Sequence, residues 1–392
     1  MDILYTVYIG NYNSAKTIGV KQKVISQARA LNDLGCSCDL KLITTSEIKG
    51  GIVFENNFKF EIQPLKVKNV LLRRKEIFSI FYKNTVSKNF DIIYIRYPLV
   101  GPYFISYLQN VYHSNKIIIE YQAIVKKELM TSISANKILK YISEVYYCRK
   151  IKEYISGIVT VTKEIEEYQK KIVGGKLKSI VIGNGIDTNK VPLRHKWNRE
   201  KNISLLFVGN ISPWHGLDKL IMGLSQVNFI YKEYPIKLEI IGEGNSYSKI
   251  KELTRSLKRE KYVKFHGFLK DDNKYETMSN CDVAIGSLAS ERRGLKESSN
   301  IKLREYCAFG IPFIKSDFDA DFDYNKQTKL FVFTVRGDIS FDWLCKILDF
   351  SLNVKNNKNI SLIMREYAKK YLDWQIKMNK LVKFFKKVRR EG

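Results

Sequence analysis

The chain has 392 residues, of which 45% are hydrophobic and 27% are charged, and its formal net charge is +27. This length is too great for a single hydrophobic core, so two domains are expected; no apolar segment approaches the roughly 20 residues that cross a bilayer as a helix. The charge favours a polyanionic partner, which leaves nucleic acid, anionic lipid and phosphorylated substrates as candidates.

The six cysteines have no regular spacing, and most lie within apolar runs. This pattern is typical of reduced cysteines in a protein core and favours the cytoplasm. The first residues, MDILYTVYIGNYNSAK, lack the basic start and the cleavage site of a signal peptide. We therefore expect a cytoplasmic protein that is neither exported by that route nor anchored by a membrane span.

The first half of the chain alternates predicted strands and helices. A strand at residues 3–9, a loop at 10–19, a helix at about 20–34 and a strand at 38–44 form the β-loop-α-β unit of a parallel sheet. Nearly continuous runs of branched apolar residues predict further buried strands. These runs predict strands at 91–96, 116–120, 157–162 and 179–182. A long helical tract is predicted at 137–155.

The carboxyl ends of these strands are the expected place for a ligand. Arg96 and Glu120 are the polar residues at the ends of two predicted strands, and the loop at 10–19 follows the first strand. Arg96 and Glu120 are therefore candidate site residues, although a salt bridge at the sheet edge explains them equally well.

The second half repeats the alternation after a polar segment at 191–202, which we predict to be a linker. Predicted strands at 203–208, 237–241, 262–265, 283–285 and 312–314 alternate with helices at 217–226, 247–257, 272–278, 301–309 and 341–350. We predict an N-terminal domain at 1–190, a C-terminal domain at 203–370 and a basic amphipathic helix at 371–392 that packs back towards the N-terminal domain. GEGNS at 242–246 lacks the third glycine of a dinucleotide-binding fingerprint and is not assigned that role.

Two carboxylates, Glu297 and Glu305, stand eight positions apart around a predicted helix start near Asn300. The first backbone N–H groups of such a helix, at Asn300, Ile301 and Lys302, have no intrahelical partner and suit an anion. Glu305 in the second turn and Glu297 on the preceding loop can accept hydrogen bonds from hydroxyl groups. Together these groups describe a site for a sugar nucleotide, whereas two solvated surface glutamates are the plain alternative.

Five segments carry a family resemblance in this order: FVGNISPWHGLDKLI, IIGEG, VKFHGF, CDVAIGSL and KESSNIKLREYCAFGIPFI. They resemble the nucleotide-binding half of the retaining GT-B glycosyltransferases of family four (group 1). The form of these motifs in this chain, with RRG and KLREY, is similar to that in bacterial capsule, exopolysaccharide and O-antigen enzymes. The resemblance implies an α/β protein of GT-B architecture, with two Rossmann-like doubly wound domains, acceptor-binding and donor-binding, that face a central crevice.

The resemblance also implies residue roles. Glu305 would hold the ribose hydroxyls, Glu297 would contact the donor sugar, and the backbone of Asn300 and Ile301 would bind the diphosphate. Close backbone approach to the donor is implied for Gly209 and Gly216, and the backbone of Phe268 and Leu269 would flank the base.

The chain departs from the family pattern at the diphosphate. Many relatives carry an arginine and a lysine where this chain has Asn210 and His215. Arg292, Arg293 and Lys302 are near enough in sequence to replace those cations, and His215 could donate one hydrogen bond. The alternative for the three cations is that they are solvated.

The first half departs further, because Glu120 stands near the position where many relatives place a histidine. Glu120 and Glu128 could bind acceptor hydroxyls or assist deprotonation of the acceptor. Gly19 could contact a phosphate or the acceptor through its backbone, and Arg96 is a further candidate on the acceptor side.

The implied reaction moves a sugar from a nucleotide diphosphate to an acceptor hydroxyl with retention, and the departing diphosphate takes the proton. No metal and no cofactor are expected. The acidic run of Asp317, Asp319, Asp321 and Asp323 resembles a metal motif but lacks histidine partners, so we interpret it as a loop or acceptor-side feature.

The expected partners are a nucleotide sugar and a lipid-linked oligosaccharide or glycan acceptor, with the enzyme peripherally associated with the inner face of the cell membrane. Two basic, apolar stretches are considered for a membrane surface. Residues 65–83 interleave arginines with aromatic residues, whereas in 374–390 a stripe that packs on the protein itself is favoured: Met378, Leu381, Val382, Phe385 and Val388.

Three alternatives remain open. A sugar-nucleotide epimerase of the same fold would form its product without an acceptor. A non-catalytic partner subunit would explain Asn210 and His215, but the chain keeps Glu297 and Glu305. A nucleic-acid-binding protein would also use the positive charge, yet no recognition motif for nucleic acid is present, and no nucleic-acid partner is expected.

Overall fold

The protein consists mainly of parallel strands joined by helices. The computed structural model describes residues 1–14, 17–55, 57–130, 135–175, 177–197, 200–337, 340–355, 357 and 359–390. The chain divides into two units, Met1–Gly185 with Trp374–Gly392, and Ile186–Asp373. Within the described residues, no helix combines the length and apolar character that a membrane span requires.

Among the described residues, the first unit contains an eight-stranded sheet. Its strands are β1 (Asp2–Gly10), β2 (Ser37–Thr44), β3 (Gly51–Glu55), β4 (Phe58–Pro64), β5 (Ile92–Arg96), β6 (Lys116–Tyr121), β7 (Gly157–Thr160) and β8 (Ser179–Val181). They lie in the order β3-β4-β2-β1-β5-β6-β7-β8, and the β3–β4 pair is antiparallel while the others are parallel. The connecting helices are α1 (Ile18–Asp33), α2 (Val70–Val86), α3 (Pro102–Val111), α4 (Val125–Leu129), α5 (Ala135–Tyr147) and α6 (Lys163–Val173).

The described part of the second unit contains a seven-stranded sheet. Its strands are β9 (Ile203–Val208), β10 (Ile230–Tyr231), β11 (Tyr234–Ile241), β12 (Val263–Gly267), β13 (Val283–Ile285), β14 (Phe313–Lys315) and β15 (Val332–Thr334). The parallel strands lie in the order β12-β11-β9-β13-β14-β15, and the short β10 pairs antiparallel with the start of β11. The helices are α7 (Leu217–Gln226), α8 (Tyr247–Ser256), α9 (Asp271–Ser279), α10 (Ile301–Phe309), α11 (Ala320–Asp323), α12 (Phe341–Lys355) and α13 (Ile360–Tyr367).

Both sheets follow the order of a Rossmann fold, in which the first strand stands between the second and the fourth parallel strand. The apolar runs explain this arrangement, because every residue of β9 and of Val283–Ile285 is buried, as a parallel sheet covered by helices requires. The predicted α/β class is confirmed.

The last helix, α14 (Trp374–Arg390), belongs to the first unit. Its apolar stripe lies in the core of that unit, with all five residues buried: Met378, Leu381, Val382, Phe385 and Val388. Gln375 Nε2 donates to Asp33 Oδ2 at 2.9 Å, and Arg389 lies 3.2 Å from Asp91. The stripe is therefore covered by protein.

Several local features differ from the sequence-based prediction. The β3–β4 hairpin and β10 were not predicted, because their burial alternates or is partial and leaves no continuous apolar run. The predicted helix at 137–155 is divided into α5 and a short 3-10 turn, Lys150–Glu153. Residues 198 and 199 of the predicted linker and residues 391 and 392 of the predicted terminal helix lie outside the described residues.

Candidate functional site

The candidate site of the second unit lies where the strand order of its sheet reverses, between β9 and β13. In sheets of this kind, ligands bind outside the carboxyl ends of the strands at such a switch point. The segments that follow these two strands are joined there, because Leu288 N donates to His215 O and Ala289 N donates to Trp214 O, both at 3.1 Å. The switch point thus brings together the loop at 209–216 and the segment at 286–300.

Glycines let neighbouring loops pack tightly behind this site. Gly244 has φ +158°, and a Cβ there would lie 2.3 Å from Ile211 O. Gly242 has φ +119°, and its Cβ would lie 2.2 Å from Gly209 O. Residues other than glycine cannot occupy such positions without moving the backbone, so the glycines of GEGNS serve the packing of two loops.

Helix α10 begins at Ile301 with Asn300 as its N-cap residue, which confirms the predicted helix start. Buried Tyr306 fixes α10 relative to the ends of β9 and β13. Its hydroxyl accepts from Val208 N at 3.0 Å and lies 3.3 Å from Ile285 O. The first N–H groups of the helix have no intrahelical acceptor and carry the positive end of the helix dipole. The helix start is therefore suited to an anion at the switch point.

Lys302 in the first turn strengthens this preference. Its Nζ atom is buried, has no hydrogen-bond partner among the described residues and lies 4.0 Å from the centre of the Phe207 ring. A Cβ at Gly209 would lie only 3.5 Å from this Nζ, so the amine stands against the loop that follows β9. Burial lowers the pKa of Lys302 to about 7, against the opposing effect of the nearby Asp317 carboxylate. A buried amine without an acceptor indicates a place that an anionic ligand completes.

His215 is held as a neutral hydrogen-bond donor. Its Nδ1 accepts from Ser212 N at 3.1 Å, so the proton of the neutral ring resides on Nε2. Burial, together with the charges of Lys302 and Arg293, lowers the pKa of His215 well below its usual range. The ring therefore offers one N–H and no charge.

The two glutamates of the motif have different surroundings. Glu305 Oε1 accepts from Lys274 Nζ at 2.8 Å and from Tyr275 Oη at 2.9 Å, both on α9. Glu297 forms an isolated parallel bridge with Phe318 through the backbone, and its side chain is half-buried. The sequence analysis missed Lys274 and Tyr275, because neither residue stands within a motif.

The other predicted donor-side residues occupy varied positions. Gly216 has φ +67° and ends the 3-10 turn Pro213–His215, and Asn210 Nδ2 donates to Ser212 Oγ at 3.0 Å. The guanidinium of Arg293 lies 5.2 Å from the centre of the Trp214 ring. Following β12, Phe268 has an exposed side chain and Leu269 packs against the core.

Arg292 is engaged with neighbouring protein groups. Its guanidinium forms a bidentate pair with Asp218, at 2.9 Å from Nη1 and 2.8 Å from Nη2, and Nη1 also donates to Pro213 O. Arg292 therefore stabilises the segment that follows β9.

Most of the acidic run is engaged in ion pairs. Arg304 is fully buried on α10 and pairs with Asp319 and Asp321, while buried Lys315 donates to Asp323 at 2.6 Å. Within the described residues, no group of three or more His, Cys, Asp or Glu side chains is arranged to hold a metal ion. The run therefore fastens α10 to the segment after β14.

Asp317 is the exception in this run and was not singled out as a site residue. Its Oδ2 accepts from Asn300 Nδ2 at 3.1 Å, whereas its Oδ1 is buried and has no hydrogen-bond partner among the described residues. Asp317 therefore faces the start of α10, opposite in charge to Lys302.

Glu120 of the first unit is buried and surrounded by partners. Its Oε2 accepts from Tyr5 Oη at 3.1 Å, its Oε1 accepts from Gln27 Nε2 at 2.9 Å, and Lys23 Nζ lies 3.4 Å away. Burial raises the pKa of Glu120, but the charges of Lys23 and Arg96 outweigh it and hold the pKa below its usual range. These contacts favour a structural, ionised carboxylate.

The acceptor-side candidates lie at separate points of the first unit. Gly19 is exposed in the first turn of α1 with open space around it, and Glu128 is exposed on α4. Arg96 ends β5, and its Nη1 is buried without a hydrogen-bond partner in the described part of the chain.

A comparison with protein families matches the part of the chain that contains this candidate site. Residues 190–334 match the family model described as glycosyl transferases group 1. This range contains both glutamates, Lys302 and the loop after β9. No curated protein matches the chain.

Solved structures match over nearly the whole chain. Sucrose-phosphate synthase from Thermosynechococcus elongatus has a TM-score of 0.72 at 11% identity and covers 100% of both chains. The lipopolysaccharide outer core galactosyltransferase WaaB has a TM-score of 0.62 at 16% identity over 96% of this chain and 99% of its own. Anabaena HepE, in complex with UDP and glucose, has a TM-score of 0.62 at 14% identity over 99% and 100%. The fold is that of the GT-B glycosyltransferases, as the sequence predicted.

Proposed function

We propose that this chain is a glycosyltransferase that moves a hexose from a nucleotide-diphosphate donor to an acceptor hydroxyl with retention of anomeric configuration. The observation that carries the proposal is Lys302, a buried amine without a hydrogen-bond partner in the described residues, at the start of a helix at the switch point. Diphosphate supplies the negative charge that this place lacks.

Each part of a nucleotide sugar has a candidate partner. The diphosphate would bind Lys302, the first N–H groups of α10 and the Nε2–H of His215. The ribose would bind Glu305, whose position is fixed by Lys274 and Tyr275. Glu297 would contact the sugar, and the backbone at Phe268 and Leu269 would flank the base.

The catalytic contribution would be stabilisation of the departing diphosphate. Fixed donors that point at a developing charge in a dry site are worth a factor of about 10²–10³ each in rate. The β-phosphate oxygen that leaves the anomeric carbon would take the proton of the attacking hydroxyl, so the new C–O bond forms on the face from which the diphosphate departs. No metal and no cofactor enter this scheme, because Lys302 and the helix start carry the neutralising charge.

We further propose a lipid-linked oligosaccharide as the acceptor, in bacterial surface polysaccharide synthesis at the inner face of the membrane. The resemblance of the RRG and KLREY segments to capsule, exopolysaccharide and O-antigen enzymes supports this acceptor. Gly19, Arg96 and Glu128 of the first unit remain candidates for acceptor contacts.

The test is a mass-spectrometric screen of purified protein against a panel of nucleotide sugars, each with and without a crude lipid-linked acceptor extract, in the presence of a chelator. We expect sugar transfer that requires the extract and is lost in Glu305→Ala. Glu276→Ala, an exposed glutamate pointing from α9, serves as the matched control. Conversion of the donor without acceptor would instead support an epimerase, and stabilisation by nucleotides without any turnover would support a non-catalytic subunit.

A further inference from the structure

Helix α5 of the first unit presents its apolar residues to solvent. Leu139 is 66% exposed, Tyr146 62% and Ile142 57%, and two further residues, Ile138 and Val145, are also exposed. Their spacing places all five on one face of the helix. We call this face, made by Ile138, Leu139, Ile142, Val145 and Tyr146, the α5 stripe.

The opposite face of α5 is held to the protein by polar contacts. Of the side chains described in this helix, Glu144 alone is buried. Its Oε1 accepts from Tyr97 Oη at 2.7 Å, its Oε2 accepts from Val100 N at 3.4 Å, and Ser143 Oγ donates to Val100 O at 3.0 Å. This arrangement reverses the usual one, in which the apolar face of a surface helix packs on the core. A contiguous exposed apolar face marks a surface that contacts another apolar phase.

The surroundings of the α5 stripe are basic. Residues 135–150 contain four basic side chains, Lys137, Lys140, Arg149 and Lys150, and one acidic side chain, which is the buried Glu144. Lys150 Nζ lies 4.7 Å from the centre of the Tyr146 ring, so one of these charges stands at the edge of the stripe. Apolar residues flanked by lysines and by a tyrosine are typical of helices that lie in a headgroup layer.

We propose that the α5 stripe docks this protein on a bilayer that contains anionic lipids, with the apolar residues inserted between the headgroups. The proposal rests on the lipid-linked acceptor proposed above, and it gives the enzyme its membrane contact. Charge complementarity selects this occupant. A second copy of the chain, packed stripe against stripe about a two-fold axis, would instead bring the flanking lysines and arginine of both copies together.

The exposed apolar face of α5 fits a membrane surface better than the two stretches considered from the sequence, residues 65–83 and 374–390. The stripe of α14 is buried in the core, and in α2 the aromatic residues Phe78 and Phe81 are buried beside Phe104. The basic start of α2 nevertheless lies near α5, because Arg74 Nη1 and Ser143 Oγ both donate to Val100 O.

Vesicle sedimentation tests the proposal. The triple variant Ile138→Gln, Leu139→Gln and Ile142→Gln replaces exposed residues by a good helix former, so folding should be unaffected. The matched control is Ile230→Gln, Leu330→Gln and Leu362→Gln, which alters three residues of similar exposure in the second unit. Both are compared with the native chain on vesicles of phosphatidylcholine with and without phosphatidylglycerol.

We expect the native chain and the control to sediment with the mixed vesicles, less so at high salt, and the α5 variant to partition at least about tenfold more weakly. Equal sedimentation of the α5 variant and the native chain would overturn the proposal, as would a native chain that binds neither kind of vesicle. A stripe variant that turns a dimer into a monomer in light scattering without changing vesicle binding would also overturn it and assign the stripe to self-association.

A second measurement guards against misfolding and separates this proposal from the proposed activity. Thermal stabilisation by UDP-glucose without vesicles should be equal in the native chain and in both triple variants. Leu139→Trp should show a blue shift of tryptophan emission with mixed vesicles, whereas Leu362→Trp should show none. A Leu139→Trp protein whose emission does not respond to vesicles would contradict insertion, whatever the donor specificity turns out to be.

Discussion

Two buried charges, one in each unit, stand in opposite surroundings. Glu120 in the first unit has hydrogen-bond partners on both oxygens and a lysine 3.4 Å away. Lys302 in the second unit has a buried Nζ with no hydrogen-bond partner among the described residues. Removing one partner of a paired buried charge is strongly destabilising, whereas an unpaired buried charge opposes folding and is typical of a functional site.

The same contrast recurs within α10. Arg304 is paired with Asp319 and Asp321 and is fully buried, while Lys302, two positions earlier, faces the other way towards Phe207 and Gly209. One cation of the helix is used to hold it in place and the other remains available at its start. The contrast supports the proposed diphosphate-binding role of Lys302, and the contacts of Glu120 and Arg304 favour a structural role for these two residues.

The largest expected effect concerns Glu120. Glu120→Ala should lower the free energy of unfolding by about 3–5 kcal/mol, because it leaves Lys23 buried without its carboxylate. Glu167→Ala, an exposed glutamate of α6, should change it by less than about 0.5 kcal/mol. Denaturant titration measures both. A stable Glu120→Ala protein that has lost all transferase activity would break the comparison and give Glu120 a catalytic role.

The pH dependence of this contribution has a definite sign. The pKa of Glu120 is held below its ordinary value of 4.5, so its stabilisation is present above that value and is lost as the pH falls through the lowered pKa. The native chain should therefore lose stability in mild acid more steeply than Glu120→Ala does.

Lys302→Met should impair ligand binding and not stability, in contrast to Glu120→Ala. It should weaken binding of a nucleotide sugar by about a hundredfold, and it should leave stability at neutral pH unchanged or raised, because no unpaired cation is then buried. The control is Lys249→Met, an exposed lysine of α8. Calorimetric titration and thermal unfolding provide the two readouts, and a Lys302→Met protein that is less stable but binds the donor normally would contradict the assignment.

The difference in stability between the native chain and Lys302→Met should also change with pH, and it should narrow as the pH rises. The pKa of Lys302 in the folded chain is lowered to about 7 from 10.5, so the unfolded chain binds more protons between these values. The native chain should therefore gain stability from this group as the pH rises from about 7 towards 10.5, and Lys302→Met should not show that gain.

The smallest expected effect separates the subsites. Glu305→Gln should weaken binding of UDP about tenfold, because one charged hydrogen bond to the ribose is lost, and it should leave binding of inorganic diphosphate unchanged. Lys302→Met should weaken both ligands. If Glu305→Gln lost the same affinity for UDP and for diphosphate, this would contradict the proposed contact between Glu305 and the ribose.

Much of the fold was readable in the sequence, since buried parallel strands leave continuous apolar runs and the helix at α10 has a clear start at Asn300 and stop at Gly310. The E-x7-E spacing also directed attention to the segment around the start of α10, which lies at the switch point of the second sheet. The β3–β4 hairpin was missed because nine of its twelve strand residues are exposed or half-buried.

Side-chain pairing could not be read from sequence, because it depends on residues far apart in the chain. Glu120 meets Tyr5 and Gln27 across 115 and 93 positions, and Glu305 meets Lys274 across 31. The reversed faces of α5 were likewise invisible, because an amphipathic pattern gives the positions of the apolar residues on a helix but not the direction in which they face.

The most direct test of the account is the uptake of protons when a nucleotide sugar binds. Calorimetric titration with UDP-glucose at about pH 8, in two buffers of different ionisation enthalpy, should detect uptake of about one proton by the native chain, because the diphosphate raises the pKa of Lys302 again. Lys302→Met should take up none. Binding by the native chain without proton uptake, or equal uptake by both proteins, would contradict the claim that Lys302 is the cation of the diphosphate site.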